Sequence, residues 1–145
     1  MKKLTVKNYK NLDGQKMGQN GNSFVYKPIF PPEEAKQCMV GFVEIKPGNF
    51  GFNYHYHELN EEVFYIISGI GVVKTAKGDI SVKAGDVITF PAGEKGAHMI
   101  RNASDTETLI YIDFDTNNPV EIAHFPDTKK IMVRTSYSNS IYDEK

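Results

Sequence analysis

Two histidines separated by one residue mark the part of the sequence with the clearest capacity for chemistry. His55 and His57 stand in NYHYHELNEEVFYIISG, and the alternation of side chains along a strand places both imidazoles on one face. Neighbouring imidazoles can bind a divalent transition metal, which takes further ligands that are often carboxylates. Of the nearby glutamates, Glu58 lies on the opposite face and Glu61 belongs to the turn. We favour Glu62, because it opens the apolar run EVFYII and can project into the same interior.

A third candidate ligand is His98, in the strand-like run AHMIRN that follows the loop PAGEKG. The remaining histidine, His124, has no partner in a motif and is interpreted as structural. Side chains with the same alternation as the candidate ligands are predicted to surround the metal. The apolar ones either contact a substrate or simply fill the interior, and the sequence leaves this open. These pocket candidates are Asn53, Phe64, Ile66 and Ile100.

The elements that must position these residues are short β-type runs separated by turn residues. Many short strands at close spacing predict an all-β antiparallel barrel or sandwich. No segment repeats apolar residues at helical spacing, and PPEEAKQC is the best candidate for a single helical turn or a loop. The run FVYKPIF contains a proline, which predicts an edge strand. The other predicted strands are MVGFVEI, EVFYII, GVVKTA, DISV, VITF, AHMIRN, TLIYIDF, VEIAHF and KIMVRT.

Length and composition predict one globular domain that binds neither nucleic acid nor membranes. The chain has 145 residues, of which 40% are hydrophobic and 24% charged, and a net charge of −1 without a basic run. No apolar stretch approaches the ~20 residues of a membrane span, and the start MKKLTVKNYK lacks the apolar part of a signal peptide. We therefore expect a cytoplasmic protein. We expect a polar segment at 1–22, a β-barrel domain at 23–135 and a polar tail at 136–145, with both ends weakly ordered or packing late.

Two spaced motifs make the sequence similar to the cupins, a family of double-stranded β-helix proteins. Their first motif consists of His-x-His, three or four residues, Glu, six residues and Gly. Their second motif consists of Gly, five residues, Pro-x-Gly, two residues, His, three residues and Asn. The first is matched by His55, His57, Glu62 and Gly69, although its leading glycine is displaced. The second is matched with four residues instead of two before its histidine, by Gly85, Pro91, Gly93, His98 and Asn102.

The resemblance implies a single-domain double-stranded β-helix, or jelly-roll, barrel with four metal ligands. These would be His55, His57, Glu62 and His98. Such a mixed nitrogen and oxygen shell suits Mn, Fe, Ni, Co or Zn and does not choose among them. No residue on a motif position marks a proton donor or acceptor, so catalytic residues stay unassigned. The resemblance also implies a homodimer, for which FVYKPIF would be a pairing edge.

These features predict a metal-dependent enzyme that acts on a small oxygen-rich substrate, such as a sugar derivative or a carboxylate. The chemistry would be of the isomerase, decarboxylase or dioxygenase type. The alternative is a non-enzymatic cupin module that binds a small ligand or a metal. A proton-transfer group beside the metal would favour the enzyme, whereas a pocket lined only by apolar side chains would favour binding alone.

Overall fold

The protein is built from β-strands, as the spacing of its turn residues predicts. The computed structural model describes residues 3–145, and within them the only helices are 3-10 turns at Tyr9–Asn11, Pro32–Glu34 and Glu94–Gly96. The second of these turns lies in PPEEAKQC, where a single turn or a loop is predicted. The strands are β1 Gln15–Met17, β2 Phe24–Pro28, β3 Cys38–Ile45, β4 Tyr56–His57, β5 Glu62–Ser68, β6 Ile70–Thr75, β7 Gly78–Lys83, β8 Val87–Phe90, β9 His98–Asn102, β10 Leu109–Thr116, β11 Val120–Phe125, β12 Lys130–Thr135 and β13 Asn139–Asp143.

These strands form three antiparallel sheets that enclose one interior. The largest has the order β1-β2-β3-β10-β5-β8, the second β13-β12-β11-β4 and the third β7-β6-β9. Consecutive strands such as β6 and β7 pair through a short turn, whereas β10 inserts between β3 and β5. This mixture of hairpins and long connections is that of a jelly roll. The all-β barrel predicted from the sequence is confirmed.

The core lies between the six-stranded and three-stranded sheets. Along β5, Phe64 and Ile66 are buried while Tyr65 and Ile67 are exposed, so the strand alternates as the sequence predicts. Burying an aromatic or branched side chain of this kind stabilises the fold by about 1.5–3 kcal/mol. One cluster of buried apolar side chains spans both sheets and contains Phe24, Val43, Ile45, Phe64, Ile66, Val73, Val82, Phe90, Ile100, Leu109 and Tyr111.

The prediction that FVYKPIF is an edge strand is wrong for its first half. Residues Gln15 to Met17 form β1 and pair with Phe24 to Tyr26 of β2, so β2 lies between two strands there. The pairing with β1 ends at Tyr26, so Pro28 has no partner in β1. This suits a proline, which has no backbone N–H to donate. A three-residue polar strand such as QKM carries no recognisable β pattern, and for this reason the sequence does not reveal it.

The polar ends of the chain also contribute strands. β1 comes from the segment predicted at 1–22, and β13 from the tail predicted at 136–145. β13 pairs with β12 over five positions, from Lys130 opposite Asp143 to Arg134 opposite Asn139. Hydrogen bonding to a sheet therefore holds residues 15–17 and 139–143 against the barrel. Across residues 3–145, no helix has the length and apolar character needed to cross a membrane.

Candidate metal centre

The three sheets meet at a cluster of imidazoles. His57 ends β4 in the four-stranded sheet, Glu62 opens β5 in the six-stranded sheet and His98 opens β9 in the three-stranded sheet. His55 and His98 exchange two backbone hydrogen bonds, of 3.1 and 2.9 Å, which form an isolated bridge. A directly opposed pair of this kind projects both side chains to the same face, and the two ring centroids lie 4.7 Å apart.

The carboxylate of Glu62 stands at the centre of this cluster. Its Oε1 lies 3.9 Å from Nε2 of His55, and its Oε2 lies 3.6 Å from Nε2 of His57 and 3.4 Å from Nε2 of His98. Only 6% of His55, 5% of Glu62 and 1% of His98 is exposed to solvent, whereas His57 is half-buried. The structure therefore brings together all four residues that the sequence singles out.

Two of the imidazoles are oriented by backbone carbonyls on their far side. Nδ1–H of His55 donates to the carbonyl of Asn53 at 2.7 Å, and Nδ1–H of His98 donates to that of Gly96 at 2.8 Å. In this tautomer the lone pair lies on Nε2, which points at the cluster. Nε2 of His98 is buried and has no hydrogen-bond partner, which is costly unless another group takes its lone pair. A bound metal ion would do so, and a carbonyl partner on the remote nitrogen is typical of metal-bound histidines.

The third imidazole has a carboxylate behind it that sequence reasoning missed. Nδ1 of His57 lies 3.6 Å from Oε1 of Glu121, a fully buried glutamate on β11. This is long for a hydrogen bond but within ion-pair range. The same carboxylate accepts the backbone N–H groups of Leu59 at 3.3 Å, Asn60 at 2.7 Å and Ile122 at 3.0 Å. Glu121 thus ties the turn between β4 and β5 to β11 and places a carboxylate within ion-pair range of His57.

Two further acids lie on the inner face of β10, beside Glu62. Asp113 pairs with Phe64 in the β10–β5 ladder, and Asp115 pairs with Glu62. Asp115, Glu62 and His57 form a second group whose ligand atoms lie within 4.8 Å of one another. Oδ1 of each aspartate is buried without a hydrogen-bond partner. The run TLIYIDFDT carries the signal, because alternation from the apolar positions Leu109 and Tyr111 places both acids inside.

The charges in the cluster shift one another's protonation. Burial alone would raise the pKa of Glu62, but the imidazoles of His55 and His57 outweigh it and hold that pKa well below its usual range. Burial disfavours the charged form of His57, yet the carboxylates of Glu121 and Glu62 raise its pKa to about 9. For His98, burial prevails and lowers the pKa to about 4, although Glu62 acts in the other direction. Glu62 is therefore ready to act as an anionic ligand, and His57 carries a proton that a metal would displace.

The two aspartates behave in the opposite way. Burial raises the pKa of Asp113 well above its usual range, and the negative charge of Glu62 raises it further. Burial also raises the pKa of Asp115, with the charges of Asp113 and Glu62 adding to the effect. The cluster therefore sets a carboxyl group whose pKa is lowered beside two whose pKa values are raised, a contrast that suits separate ligand and proton-transfer roles.

Aromatic rings enclose the cluster. The ring of Phe90 stacks on His98 with 3.6 Å between centroids, and Phe64 meets the same imidazole edge-on at 5.3 Å. Phe125 stacks on His55 at 5.9 Å. Of the predicted pocket residues, Phe64, Ile66 and Ile100 are buried in the core, with at most 2% of each exposed. Whether these three contact a ligand stays a prediction.

Asn53, the fourth predicted pocket residue, lies at the surface beside the cluster. It lines a cavity of about 390 Å³ together with Phe52 and Phe125, both of which pack near His55. The segment that follows β1, with Gln19 and Asn20 among its residues, forms the opposite wall. A contact between Asn53 and a ligand is likewise a prediction.

His124 lies outside the cluster, on the outer surface of β11. Its ring stacks on Tyr56 at 4.6 Å, and its two nitrogens contact carboxylate oxygens of Glu58 at 2.7 Å and Glu144 at 2.9 Å. Glu144 follows β13, so this histidine connects the end of the chain to the barrel. The surroundings fit the structural role interpreted from the sequence.

Comparison with known protein families identifies the family to which this chain belongs. The model of the Cupin domain family matches residues 41–115, which is just over half of the chain, and the protein belongs to the cupin family. The oxalate-binding protein of Thermotoga maritima is 35% identical over 72 residues, which make up 50% of this chain and 57% of that protein. The chain therefore matches little more than half the length of that relative.

Solved structures resemble nearly the whole chain. A sugar phosphate isomerase of the cupin superfamily from Silicibacter pomeroyi superimposes with a TM-score of 0.84 at 18% identity, covering 96% of this chain and 92% of that one. The polyketide cyclase RemF from Streptomyces resistomycificus gives a TM-score of 0.67 at 16% identity, covering 79% of this chain and 80% of that one. At these identities the likeness establishes the fold, and one fold with such different activities does not specify a reaction.

Proposed function

We propose that this protein is a metal-dependent enzyme that acts on a small carboxylate or another oxygen-rich substrate, with His55, His57, Glu62 and His98 holding the metal. The observation that carries the proposal is the convergence of three imidazole Nε2 atoms on one carboxylate, at 3.4 to 3.9 Å from its oxygens. Three imidazoles and one carboxylate suit Mn, Fe, Co, Ni or Zn. The buried Nε2 of His98, which lacks a partner, supports the same conclusion.

The surrounding residues would position the ligands and move protons. The Asn53 and Gly96 carbonyls hold two imidazoles with Nε2 toward the centre, and Glu121 stands behind the third. A bound metal would supply Lewis acidity toward an oxygen atom of the substrate. Asp115, beside Glu62 and His57, would serve as the proton carrier, since burial and neighbouring carboxylates raise its pKa.

A carboxylate substrate is supported by the curated relative. The Thermotoga protein is named for binding oxalate, a small dicarboxylate, and its match covers half of this chain. That name describes binding and not turnover, which favours the second candidate function, a module that binds a small ligand without reaction. The two aspartates with buried Oδ1 atoms beside the cluster favour the enzyme, because groups able to carry a proton next to the proposed metal serve turnover and not binding alone.

Metal content tests the site. Elemental mass spectrometry of the purified parent, after incubation with Mn, Fe, Ni or Zn and removal of excess ions, is expected to give near-stoichiometric metal. The His98→Ala variant is expected to lose most of it. His124→Ala is the matched control, because it removes a histidine outside the cluster and should keep the parent's metal. A parent without metal, or equal metal in all three proteins, would contradict the proposed site.

Turnover separates the two candidate functions. The metal-loaded protein is incubated with ¹³C-oxalate and followed by NMR, with Asp115→Asn as a variant that leaves the four proposed ligands in place. Loss of the oxalate signal in the parent and a much slower loss in the variant would support the enzyme. Broadening of the oxalate signal without loss would support binding alone.

A further inference from the structure

A second cavity lies outside the histidine cluster, at the end of the barrel where β10 leads into β11. Its volume is about 510 Å³, which is in the range of sites for small organic ligands. It is bounded by the turn after β2, the start of β3, the β10–β11 connection and the end of β12. Among its lining residues are Ala35, Lys36, Met39, Asn117, Arg134 and Ser136.

The residue of interest in this cavity is Arg134, on β12. Its Nη2 is buried and has no hydrogen-bond partner, and its Nη1 faces the sulfur of Met39 at 2.7 Å. A thioether is a weak acceptor, and a guanidinium cannot relieve its burial by losing a proton. No ion pair joins Arg134 to a carboxylate within the portion of the chain that the structure describes. Arg134 is half-buried, and neither of these two nitrogens meets a strong acceptor, so an anion that reached the guanidinium would find unmatched donors.

The neighbouring charges favour an anion in the cavity over an internal partner. Lys36 is exposed at the rim, so a second cation faces the same space, against the single carboxylate of Glu33. The charge of Arg134 acts on the internal acid Asp115, but Asp115 groups with Glu62 and His57. Arg134 therefore lines the cavity and also acts on an acid beside the histidine cluster.

We propose that this cavity is an oxyanion-binding site in which Arg134 holds the carboxylate or phosphate group of a small organic ligand. On turning from Met39 toward the cavity, the planar guanidinium would present parallel donors that match both groups, and Lys36 would add long-range attraction at the mouth. The volume leaves room for the organic part of the ligand beside the bound oxyanion. The site is separate from the histidine cluster and needs no metal.

The test is isothermal titration calorimetry of the chelator-treated protein with oxalate and, separately, with inorganic phosphate, at constant ionic strength set by sodium chloride. Removing metal prevents an oxyanion from binding through a metal at the histidine cluster, and the Arg134 variants show whether the remaining binding is in this cavity. We expect saturable binding of at least one probe at millimolar concentrations or below, and the stronger probe identifies the preferred group. Failure of both probes to bind the folded parent would overturn the proposal.

Variants locate the binding. Arg134→Gln is expected to weaken it at least tenfold, and Arg134→Lys to restore only part of it, because an ammonium lacks the fork of donors. Arg101→Gln is the matched control, since Arg101 is exposed on β9 and its guanidinium lies 3.5 Å from Asp79, away from the residues that line the cavity; it should bind as the parent does. Equal affinity in parent and Arg134→Gln would place the binding elsewhere and refute the assignment.

A second variant, with a reversed charge at the rim of the cavity, keeps the test informative if Arg134→Gln does not fold. Lys36→Glu changes an exposed side chain, so the fold should tolerate it, as circular dichroism will verify. We expect it to weaken oxyanion binding several-fold by putting a negative charge at the mouth. Unchanged affinity in this variant would also count against the proposal. None of these results depends on whether the protein binds metal, so the site can fail without the proposed function failing, and the reverse also holds.

Discussion

Replacement of Glu121 by glutamine tests how the candidate metal centre is supported. The carboxylate of Glu121 uses Oε2 to accept the N–H of Asn60, and Oε1 to accept those of Leu59 and Ile122. An amide keeps one acceptor oxygen and replaces the other with an NH₂ group. Whichever way the amide is placed, an NH₂ donor faces at least one backbone N–H donor. Glu121→Gln therefore leaves a buried N–H without an acceptor.

The size of the loss follows from that orphaned group. An unsatisfied buried donor costs about 1–3 kcal/mol, so the free energy of unfolding should fall by that amount. For a chain of 145 residues this corresponds to a decrease in melting temperature of roughly 3–9 °C. The variant should also lower the pKa of His57, since Glu121 is the main group that raises it.

Urea unfolding of the metal-free protein, followed by circular dichroism, measures the loss. Glu61→Gln is the matched control: it makes the same chemical change at an exposed glutamate in the same turn and should stay within about 0.5 kcal/mol of the parent. Amide hydrogen exchange at Asn60 and Ile122 should accelerate in Glu121→Gln but not in the control. If Glu121→Gln unfolded at the parent's urea concentration with unchanged exchange, the structural role assigned to this carboxylate would be refuted.

Three further predictions concern the same region and its surroundings. The carboxylates around His57 raise its pKa to about 9, so metal uptake at pH 7 should release close to one proton from this residue. For the same reason the affinity for the metal should rise about tenfold per pH unit up to about pH 9. Calorimetry in buffers of different ionisation enthalpy measures both quantities. In Gly96→Ala the new Cβ would lie 2.0 Å from the carbonyl oxygen of Pro91, so the turn that orients His98 must shift. We expect a loss of about 1–3 kcal/mol in the free energy of urea unfolding, together with weaker metal binding. An unchanged unfolding free energy and an unchanged metal affinity would contradict this prediction. His124→Gln should destabilise the protein at pH 6 more than at pH 9. Despite partial burial, two glutamates raise the folded-state pKa of His124, so the stabilisation it gives is complete below its unfolded-state pKa and is lost as the pH rises through its folded-state pKa. Equal losses of unfolding free energy at both pH values in urea unfolding would contradict this prediction.

The four clustered residues could be predicted together because alternation and spacing are local properties. His-x-His places two imidazoles on one face wherever the segment is extended, and Glu62 and His98 open strands whose inner faces are apolar. The structure adds what the sequence does not contain, namely that these segments belong to three different sheets. Long-range pairing of that kind depends on the whole fold, and the spaced motifs predicted it only through family resemblance.

The supporting carboxylates were missed for a different reason. An acid in a strand is usually read as solvent-facing, because burying an unpaired charge is costly. Asp113 and Asp115 contradict that expectation, and the alternation in TLIYIDFDT would have revealed them had it been followed past the apolar residues. The role of Glu121 depends on residues distant in the sequence, because two of the N–H groups that donate to its carboxylate lie about sixty positions earlier in the chain. The sequence alone does not show that these groups meet.

The ends of the barrel were the least predictable part of the fold. β1 and β13 are short and polar, and each is held by pairing with a longer neighbour. Their formation depends on the available edge of that neighbour more than on their own composition. A homodimer formed through the edge of FVYKPIF stays a prediction, and it now has to accommodate the three residues of β1 that cover part of this edge.

The most direct test of the proposed metal site is X-ray absorption spectroscopy of the metal-loaded protein, which counts imidazole ligands. We expect three imidazoles and otherwise oxygen ligands in the parent, the same spectrum in His124→Ala, and one imidazole fewer in His57→Ala. A metal bound through sulfur, or a parent spectrum with no more than one imidazole, would contradict the assignment of His55, His57, Glu62 and His98 as the metal ligands.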